Sequence, residues 1–472
     1  METETTHSIN QRQCPVGESV SVDAVPHVVQ PEEGGGKRPP LIRSTPIIGP
    51  LRQFTGNVLP FLAKTRKAYG DAFRMRILGM DMTCLCGQDA VALLGNDDLL
   101  CTARSMKVLQ KAVNSRLPMT FDGPLHKVYR KAHSNFLNRK LERARRGDII
   151  DCLKQQTSRW QPGHSFDALT EAQSQTVQVL SQLLNGEPFP FSRADLSRVI
   201  HTLIYATYGH IPLWMALANP AYRRAQKRMN EHFLALVARV RASPELTAET
   251  MVGQYLGCPP PEGTDHWEDD DLKIVPLMAY LAGYDTVASA AGFLLYRLLS
   301  HPGYLQKVRD EYRHLAREND GNIDPMDQKL LRAAFQETVR INPPGALVIR
   351  YAKQDFRFGG YRIRKGDEVL VQISGDHLNE AMFPEPEKFD PTRFIGRGAS
   401  ERKRHVLAFG SGAHRCTGAM IGPLITQEMV SYWINHFELE LVPGKAQPRI
   451  VARPFTQPVG LTVRVVGTRS PV

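Results

Sequence analysis

Apolar residues recur along most of the chain every three to four positions, as they do on one face of a helix. This spacing predicts helices in the following stretches: 57–68, 124–137, 150–160, 168–185, 194–208, 219–241, 271–300, 303–317, 327–341 and 418–437. Apolar and polar positions alternate in fewer places, and this alternation predicts strands within 72–78, 81–86, 356–373 and 460–465. We therefore expect one mainly α domain with a minor β-sheet, and no internal repeat divides it.

The predicted helix over 271–300 contains a stretch that is long enough to span a bilayer. Residues 274–299 are almost all apolar, and a spanning helix needs about 20 such residues. Asp285, Thr286 and Ser289 lie in its middle, however, and a charge at the centre of a bilayer is costly. A helix buried in the core of a large protein has the same composition, and we expect that arrangement.

The first 36 residues differ from the rest of the chain. They are polar, contain no apolar run and end in three glycines, a composition that predicts a disordered tail before a folded domain over 37–472. Such a tail is neither a secretory signal nor a membrane anchor. The chain has 7 cysteines without paired spacing, which indicates neither a disulfide framework nor a zinc site and favours the reducing cytoplasm.

The formal net charge is +11, and a basic protein can attract nucleic acid, an anionic membrane or an acidic protein. The densest basic runs are RKLERARR over 139–146 and ERKR over 401–404. Neither run has the interleaved aromatic residues of a single-strand binder, and no DNA-reading motif is present. We expect no nucleic acid partner, and each run is by default a solvated face.

Cys416 lies in a segment rich in glycine, LAFGSGAHRCTGAM over 407–420. A lone cysteine is more often a buried core residue than a ligand, but these neighbours change that expectation. The glycines allow backbone conformations that other residues avoid, so the chain can wrap closely around the sulfur. The order of phenylalanine, glycines, histidine and cysteine from Phe409 to Gly418 resembles the haem-binding loop of the cytochrome P450 family.

This resemblance implies that Cys416 binds the iron of haem b as a thiolate. A thiolate ligand pushes electron density toward the iron and favours O–O cleavage. The sulfur then needs backbone N–H donors and a shield against oxidation. Gly410 and Gly418 would let the donors approach, and Phe409 would cover the sulfur's side of the haem. His414 stands where family members bind a haem propionate.

Two further segments match the family's residues for the haem propionates. His126 and Arg130 are four residues apart and share one helix face, as in the family's propionate-binding helix; a solvated basic helix is the alternative. Arg350 follows the apolar stretch 343–349, where members place another propionate-binding arginine. Arginine suits a carboxylate because its guanidinium can donate two parallel hydrogen bonds.

The segment AGYDT, Ala282–Thr286, resembles the family's oxygen-activation segment. The resemblance implies that Ala282 and Gly283 border the haem and that Gly283 leaves room for dioxygen. It also implies that Asp285 and Thr286 pass protons to the dioxygen through water, as a general-acid relay. From the residues alone, a polar pair inside a buried helix would be the commoner explanation.

Glu337 and Arg340 are three residues apart on one predicted helix face, and such pairs are common on surfaces, where they contribute little. With Arg393 in the stretch 383–394, they match the family's buried Glu–Arg–Arg network. The resemblance implies a structural role beneath the haem. Removing one partner of a buried ionic network costs about 3–5 kcal/mol, so we expect its loss to impair haem retention.

These matches run in the family's order over residues 45–466. They imply the cytochrome P450 fold, with haem b between the long central helix and the helix after the cysteine loop. The implied activity is a monooxygenase that inserts one atom of O2 into a lipophilic small molecule, by hydroxylation or epoxidation. Electrons from NAD(P)H would arrive only through a separate redox partner.

Two alternatives to this activity stay open. One is a peroxide-driven or oxidative-coupling haem enzyme on the same scaffold, and the other is a non-catalytic haem-binding sensor. Asp285 and Thr286 argue against both, because members that use peroxide usually lack this acid–alcohol pair.

The resemblance also suggests a use for the two basic runs. The run 139–146 follows the propionate helix and the run 401–404 precedes the cysteine loop, so both could flank the sulfur's side of the haem. We expect an acidic ferredoxin or flavodoxin, with its reductase, to bind a monomeric enzyme there. The stretches 202–220 and 343–349 are apolar, which indicates a hydrophobic substrate without identifying it.

Overall fold

α-Helices make up most of the protein in the computed structural model, which describes residues 36–44, 49–77, 79–113, 115–207, 213–261, 263–319, 323–396, 398–452 and 455–470. The tail expected over 1–36 lies outside the described residues, apart from Gly36. In chain order the helices are α1 (Leu51–Thr55), α2 (Val58–Tyr69), α3 (Gln88–Ala92), α4 (Ala103–Val113), α5 (Gly123–Phe136), α6 (Arg139–Thr157), α7 (Ala168–Asn185), α8 (Arg193–Thr207), α9 (Leu213–Ala218), α10 (Pro220–Ala242), α11 (Pro244–Glu249), α12 (Met251–Leu256), α13 (Asp269–Leu272), α14 (Ile274–Leu299), α15 (Pro302–Glu318), α16 (Lys329–Ile341), α17 (Ala399–Arg404) and α18 (Ile421–His436).

The strands form small sheets beside the helices. They are β1 (Ala72–Ile77), β2 (Met80–Leu85), β3 (Leu100–Cys101), β4 (Ser165–Asp167), β5 (Leu347–Ala352), β6 (Phe356–Phe358), β7 (Tyr361–Ile363), β8 (Glu368–Gln372), β9 (Phe437–Leu441), β10 (Arg449–Ala452), β11 (Thr456–Val459) and β12 (Thr462–Thr468). One sheet has the order β1-β2-β8-β5-β3, with β2 and β8 parallel and the other neighbours antiparallel. Strands β4, β12 and β9 form a second sheet, and β6–β7 and β10–β11 are two-stranded. The architecture is the mainly α fold with minor sheets that the sequence predicts.

Helix α14 is buried along almost its whole length, because apolar residues surround its axis on all sides. It packs against α7, α16 and α18, and Tyr284, Asp285 and Ala288 in its middle are 0% exposed. Within the described residues, the helical stretch Asp269–Leu299 is long and apolar enough to cross a membrane, yet 78% of its most apolar window is buried inside the protein. This burial agrees with the expected core helix.

The centre of α14 lies close to the segment between α17 and α18. Gly422, in the first turn of α18, faces α14, since a Cβ at this glycine would lie 4.0 Å from Val287 Cγ2. Helix α5 contacts the short 3-10 turn Thr417–Ala419, which directly follows Cys416. The fold therefore brings Cys416, the middle of α14 and α5 into one region, although they are far apart in the sequence.

Candidate active site

The loop that carries Cys416 is held by its own backbone. The Cys416 N–H donates to the Phe409 carbonyl at 2.9 Å, which closes the loop. Gly410 and Gly412 have φ values of 69° and 74°, the left-handed region that favours glycine. A Cβ at Gly412 would lie 2.0 Å from the carbonyl oxygen of Leu94, so only glycine fits against this neighbouring backbone.

The Cys416 sulfur is desolvated, although the residue is exposed on one side. Burial raises the pKa of the Cys416 thiol above its ordinary value, and the Gly418 N–H, Arg130 and Arg415 oppose this shift. Gly418 sits close to the sulfur, since a Cβ there would lie 3.7 Å from Sγ. An N–H donor and two cations around a sulfur that is open on one side are the surroundings that an iron-bound thiolate requires.

Basic side chains from three elements converge beside this loop. His126 on α5 stacks on His414 with 3.9 Å between ring centroids, and His414 Nε2 lies 2.9 Å from Asp122 Oδ1. Burial lowers the pKa of His126 to about 4, and the charges of His414, Arg130 and Arg350 act in the same direction. The positive charges in this cluster repel one another, so a carboxylate bound among them would be stabilised.

This cluster and the thiol fit the chemistry of haem b. A haem has an iron that takes a thiolate and two propionates that take cationic partners. Cys416 would hold the iron, and His126, Arg130, Arg350 and His414 would hold the propionates. The structure thus brings together the residues that the sequence assigns to haem, and it adds Asp122, which fixes the His414 ring.

Thr286 lies on the open face of α14. Its hydroxyl donates to the Ala282 carbonyl at 2.7 Å, and Ala282 is exposed. Next to it on α14, Gly283 packs against α7, since a Cβ there would lie 3.0 Å from Leu180 Cδ1. The absent side chain of Gly283 therefore allows close packing of α14 on α7, and the expected room for dioxygen beside it stays a prediction.

Asp285 lies beside this open face but packs against neighbouring helices. It is 0% exposed, and both of its carboxylate oxygens have partners on other helices. Gln173 Nε2 on α7 donates to Oδ1 at 2.8 Å, and His201 Nε2 on α8 lies 3.0 Å from Oδ2. Sequence reasoning missed Gln173 and His201, because nothing in a local motif indicates which distant helix packs on Asp285.

The Glu–Arg–Arg network is assembled, with Glu337 and Arg340 fully buried and the Arg393 side chain 10% exposed. Arg340 makes two parallel hydrogen bonds to Glu337, each 2.7 Å long, and both side chains are 0% exposed. Arg393 Nε lies 3.3 Å from Glu337 Oε1, and the Asp390 N–H donates to the same oxygen at 3.0 Å. The carboxylate of Glu337 therefore ties α16 to the segment around Pro391–Phe394.

His377 connects this network with the cysteine loop. Arg340 Nη1 donates to the His377 carbonyl at 2.6 Å, and the Leu407 N–H lies 3.1 Å from His377 Nε2. Burial lowers the pKa of His377 to about 3, so the ring is neutral. Nε2 then accepts from Leu407, which leaves Nδ1–H to donate to the Arg340 carbonyl at 3.1 Å. The sequence motifs did not indicate His377.

The basic run 139–146 lies on α6, and its arginines are paired within the protein. The ion pairs are Arg139–Asp324 (2.6 Å), Arg143–Asp324 (3.0 Å), Arg145–Glu249 (3.1 Å) and Arg146–Glu428 (3.2 Å). A run whose charges are matched internally attracts an acidic partner weakly. The structure therefore argues against 139–146 as the expected docking surface.

The Arg146–Glu428 pair leads to a prediction about stability. Burial raises the pKa of Glu428 to about 7, which Arg146 opposes and Glu142 reinforces, from an ordinary value of 4.5. The folded protein then binds this proton more tightly than the unfolded chain, so the contribution of Glu428 to stability falls as pH rises from about 4.5 to about 7. We therefore compare the free energies of unfolding of Glu428→Gln and wild type at pH 5 and at pH 8. The difference between the two proteins should shift in favour of Glu428→Gln by about 2–4 kcal/mol from pH 5 to pH 8.

Urea unfolding of both proteins at each pH measures this difference. Glu249→Gln is the matched control, because Glu249 also pairs with an arginine of α6 but its side chain is 62% exposed. A stability difference between Glu428→Gln and wild type that stays the same at both pH values would contradict the prediction.

Known proteins resemble this chain over nearly all of its folded part. The sequence model of the family Cytochrome P450 matches residues 39–464. A putative cytochrome P450 135B1 of Mycobacterium tuberculosis is 25% identical over 87% of this chain and 88% of its own length. Lanosterol 14-alpha demethylase of Cunninghamella elegans is 24% identical over 92% and 91%, and mouse cytochrome P450 26B1 is 26% identical over 90% and 86%.

The fold agrees with this family. The solved structure of retinoic acid bound cyanobacterial CYP120A1 superposes with a TM-score of 0.78, covers 91% of this chain and 99% of its own, and is 22% identical. Because the family match spans the same residues that build the site around Cys416, this chain belongs to the cytochrome P450 family of haem-dependent monooxygenases.

Proposed function

We propose that this protein hydroxylates or epoxidises an apolar small molecule in the cytoplasm, with O2 as the oxidant and a separate acidic protein as the electron donor. One oxygen atom enters the substrate, and the other leaves as water after two electrons and two protons are added. When bound, haem b provides the redox centre at which O2 is reduced. Cys416 would hold its iron, and the cluster around His126 would hold its propionates.

The observation that carries the proposal is the Thr286 hydroxyl on the open face of α14. This hydroxyl is fixed by its hydrogen bond to the Ala282 carbonyl, and α14 packs against α18. Thr286 therefore lies on the helix that packs against α18, the helix after the cysteine loop, and its Oγ1 can hold a proton for the reduction of oxygen. An enzyme that reduces O2 needs such a donor, whereas a ligand sensor does not.

An apolar substrate is supported by the residues that border this region. The half-buried side chains of Leu347, Val348 and Ile349 directly precede Arg350 on β5 and carry no polar groups. The relatives' names point the same way, since lanosterol and retinoic acid are both mostly hydrocarbon. A mostly apolar pocket with few polar groups favours such ligands.

The experiment that tests the proposal replaces Thr286 with alanine. We expect Thr286→Ala to consume NADPH through the redox partners but to divert about 10-fold more of the electrons into hydrogen peroxide, because the proton donor is lost. Product and peroxide are measured against NADPH consumed. Thr65→Ala on the distant α2 is the control, since Thr65 makes the same bond from hydroxyl to backbone carbonyl, 2.8 Å long. Equal coupling in both variants would contradict the proposal, and product formation from hydrogen peroxide alone at the same rate would favour the peroxide-driven alternative.

An acidic electron carrier would dock beside the cysteine loop, where Lys127 of α5 and Arg404 of α17 are exposed. Arg402 is less suitable as a docking residue, because its Nε donates to the Arg393 carbonyl at 2.6 Å. We expect Lys127→Glu with Arg404→Glu to slow the first electron transfer about 10-fold at low salt. Stopped-flow reduction measures this rate. The control reverses Arg223 and Arg224, which are exposed on α10. An equal effect of both double variants would refute this docking site.

A further inference from the structure

A surface cleft runs along α8, on the side of the protein where Asp285 is buried. Its volume is about 440 Å³, and its lining residues are Arg193, Ala194, Ser197, Arg198, His201, Thr202 and Tyr205. All of them belong to α8, and most carry polar side chains. Such a cleft admits water to the His201 side chain, which is partly exposed.

Of the residues that line this cleft, His201 is the one that contacts Asp285 directly in the described part of the chain. Its side chain is 28% exposed, whereas that of Asp285 is 0% exposed. The imidazole Nε2 lies 3.0 Å from Asp285 Oδ2, and Nδ1 lies 3.1 Å from the Ser197 hydroxyl. One ring nitrogen thus contacts the buried carboxylate while the other faces a hydroxyl of the cleft.

The other partner of Asp285 cannot deliver protons. Gln173 donates an amide N–H to Oδ1 at 2.8 Å, and an amide does not ionise near neutral pH. Its own carbonyl accepts from Arg193 Nη1 at 3.3 Å. Gln173 therefore fixes the orientation of the carboxylate, and His201 remains as the group that can exchange a proton with it.

Few titratable or charged groups face His201 among the described residues. From α14 these are Asp285 and the Tyr284 ring, 6.2 Å away between centroids. From α8 itself, Tyr205 stacks at 5.9 Å, and Arg198 is paired with Asp195 at 3.0 Å. An imidazole has two ring nitrogens, one of which can donate a proton while the other accepts one.

We propose that His201 is the positioning residue that holds Asp285 and connects it with solvent protons through the α8 cleft. In this step one proton leaves the imidazole at Nε2 for Asp285 Oδ2, and one enters at Nδ1 from solvent by way of the Ser197 hydroxyl. No electrons move and no other bond changes. The inference rests on the proposed function, because it assigns the origin of protons that Asp285 and Thr286 would use in reducing O2.

The test compares His201→Gln with Thr202→Val in the haem-loaded enzyme. Glutamine keeps an N–H that can donate to Asp285 but cannot relay a proton, and Thr202 lines the same cleft without touching Asp285. We expect His201→Gln to retain its haem and to lose about 10-fold in product per NADPH, with more peroxide released. The pH profile of this ratio should change in His201→Gln and stay as in wild type in Thr202→Val. Wild-type coupling and pH profile in His201→Gln would overturn the proposal.

Two further measurements keep the inference testable if His201→Gln folds poorly. Ser197→Ala removes only the partner of Nδ1, and we expect a smaller loss of coupling with an unchanged haem spectrum; no loss would count against the route. Diethyl pyrocarbonate, which acylates accessible imidazoles, should modify His201 at least about 10-fold faster than the buried His133 and His377. Equally slow modification would overturn the connection with solvent.

The proposed function and this inference fail in different ways. If wild-type enzyme with redox partners and O2 yields no product from any apolar substrate tested, the proposed function fails. The rate at which diethyl pyrocarbonate modifies His201 does not depend on turnover. It then decides by itself whether His201 connects Asp285 with solvent. If wild-type enzyme is well coupled and His201→Gln equals it, only the role of His201 fails.

Discussion

Cys416→Ser is expected to abolish the red-shifted Soret band that a thiolate-ligated haem gives with CO in the reduced state. Serine has nearly the same size, so the loop closed by the bond from the Cys416 N–H to the Phe409 carbonyl stays formed. Its hydroxyl is not ionised at neutral pH, and the electron density that a thiolate pushes toward the iron is lost. Loss of a residue that only supports a metal ligand typically costs about 10- to 100-fold in activity. Because Cys416 would be the ligand itself, we expect turnover to fall by at least about 100-fold.

The CO-difference spectrum and product formation measure these two effects. Cys258→Ser is the control, because Cys258 is a free, half-buried thiol outside the loop. This variant should keep the thiolate band and the rate of product formation. A Cys416→Ser protein that retains the thiolate band would show that a different cysteine holds the iron. The surroundings of the sulfur oppose that outcome, since Arg130 and Arg415 both favour its anion.

The features that sequence reasoning found are those that depend on residues close together in the chain. The haem loop from Phe409 to Gly418 is one turn-rich segment, and the pair Glu337 and Arg340 lies on one helix face. Helix periodicity located the long helices, because burial of one face imposes a spacing of three to four residues. Their ends were less well placed: α6 begins at Arg139, since the Asn138 side chain caps the first turn.

The features that it missed depend on which distant segments meet. Gln173, His201 and His377 give no local signal, and they gain their roles only when α7, α8 and the segment after β8 pack on the motif residues. Charge shows the same limit. The run 139–146 has a large local charge, but its carboxylate partners Asp324, Glu249 and Glu428 lie more than a hundred residues away. A local count of charges cannot show that they are paired.

Glu337→Gln is expected to destabilise the fold by about 3–5 kcal/mol, because it leaves the buried cation of Arg340 without its carboxylate. Glutamine has the shape of glutamate, so the loss reflects charge and hydrogen bonding rather than a cavity. Urea unfolding measures the change in free energy. The control is Glu440→Gln, which removes a carboxylate from an exposed pair with Arg464 and should cost less than about 1 kcal/mol.

Loss of haem should precede global unfolding in Glu337→Gln. This order shows whether the network specifically fixes the haem loop or stabilises the core as a whole. Arg340 is bonded to the His377 carbonyl, and His377 Nε2 accepts the Leu407 N–H at the start of the haem loop. An Arg340 that loses Glu337 no longer fixes His377, so the loop that presents Cys416 loosens first. The ratio of haem to protein absorbance during a urea titration reports this step separately from the loss of helix. Arg340→Lys keeps the charge but loses the two parallel hydrogen bonds, and it should fall between wild type and Glu337→Gln in both measures. If haem and helix are lost together in all three proteins, the network supports the core as a whole and has no separate hold on the loop.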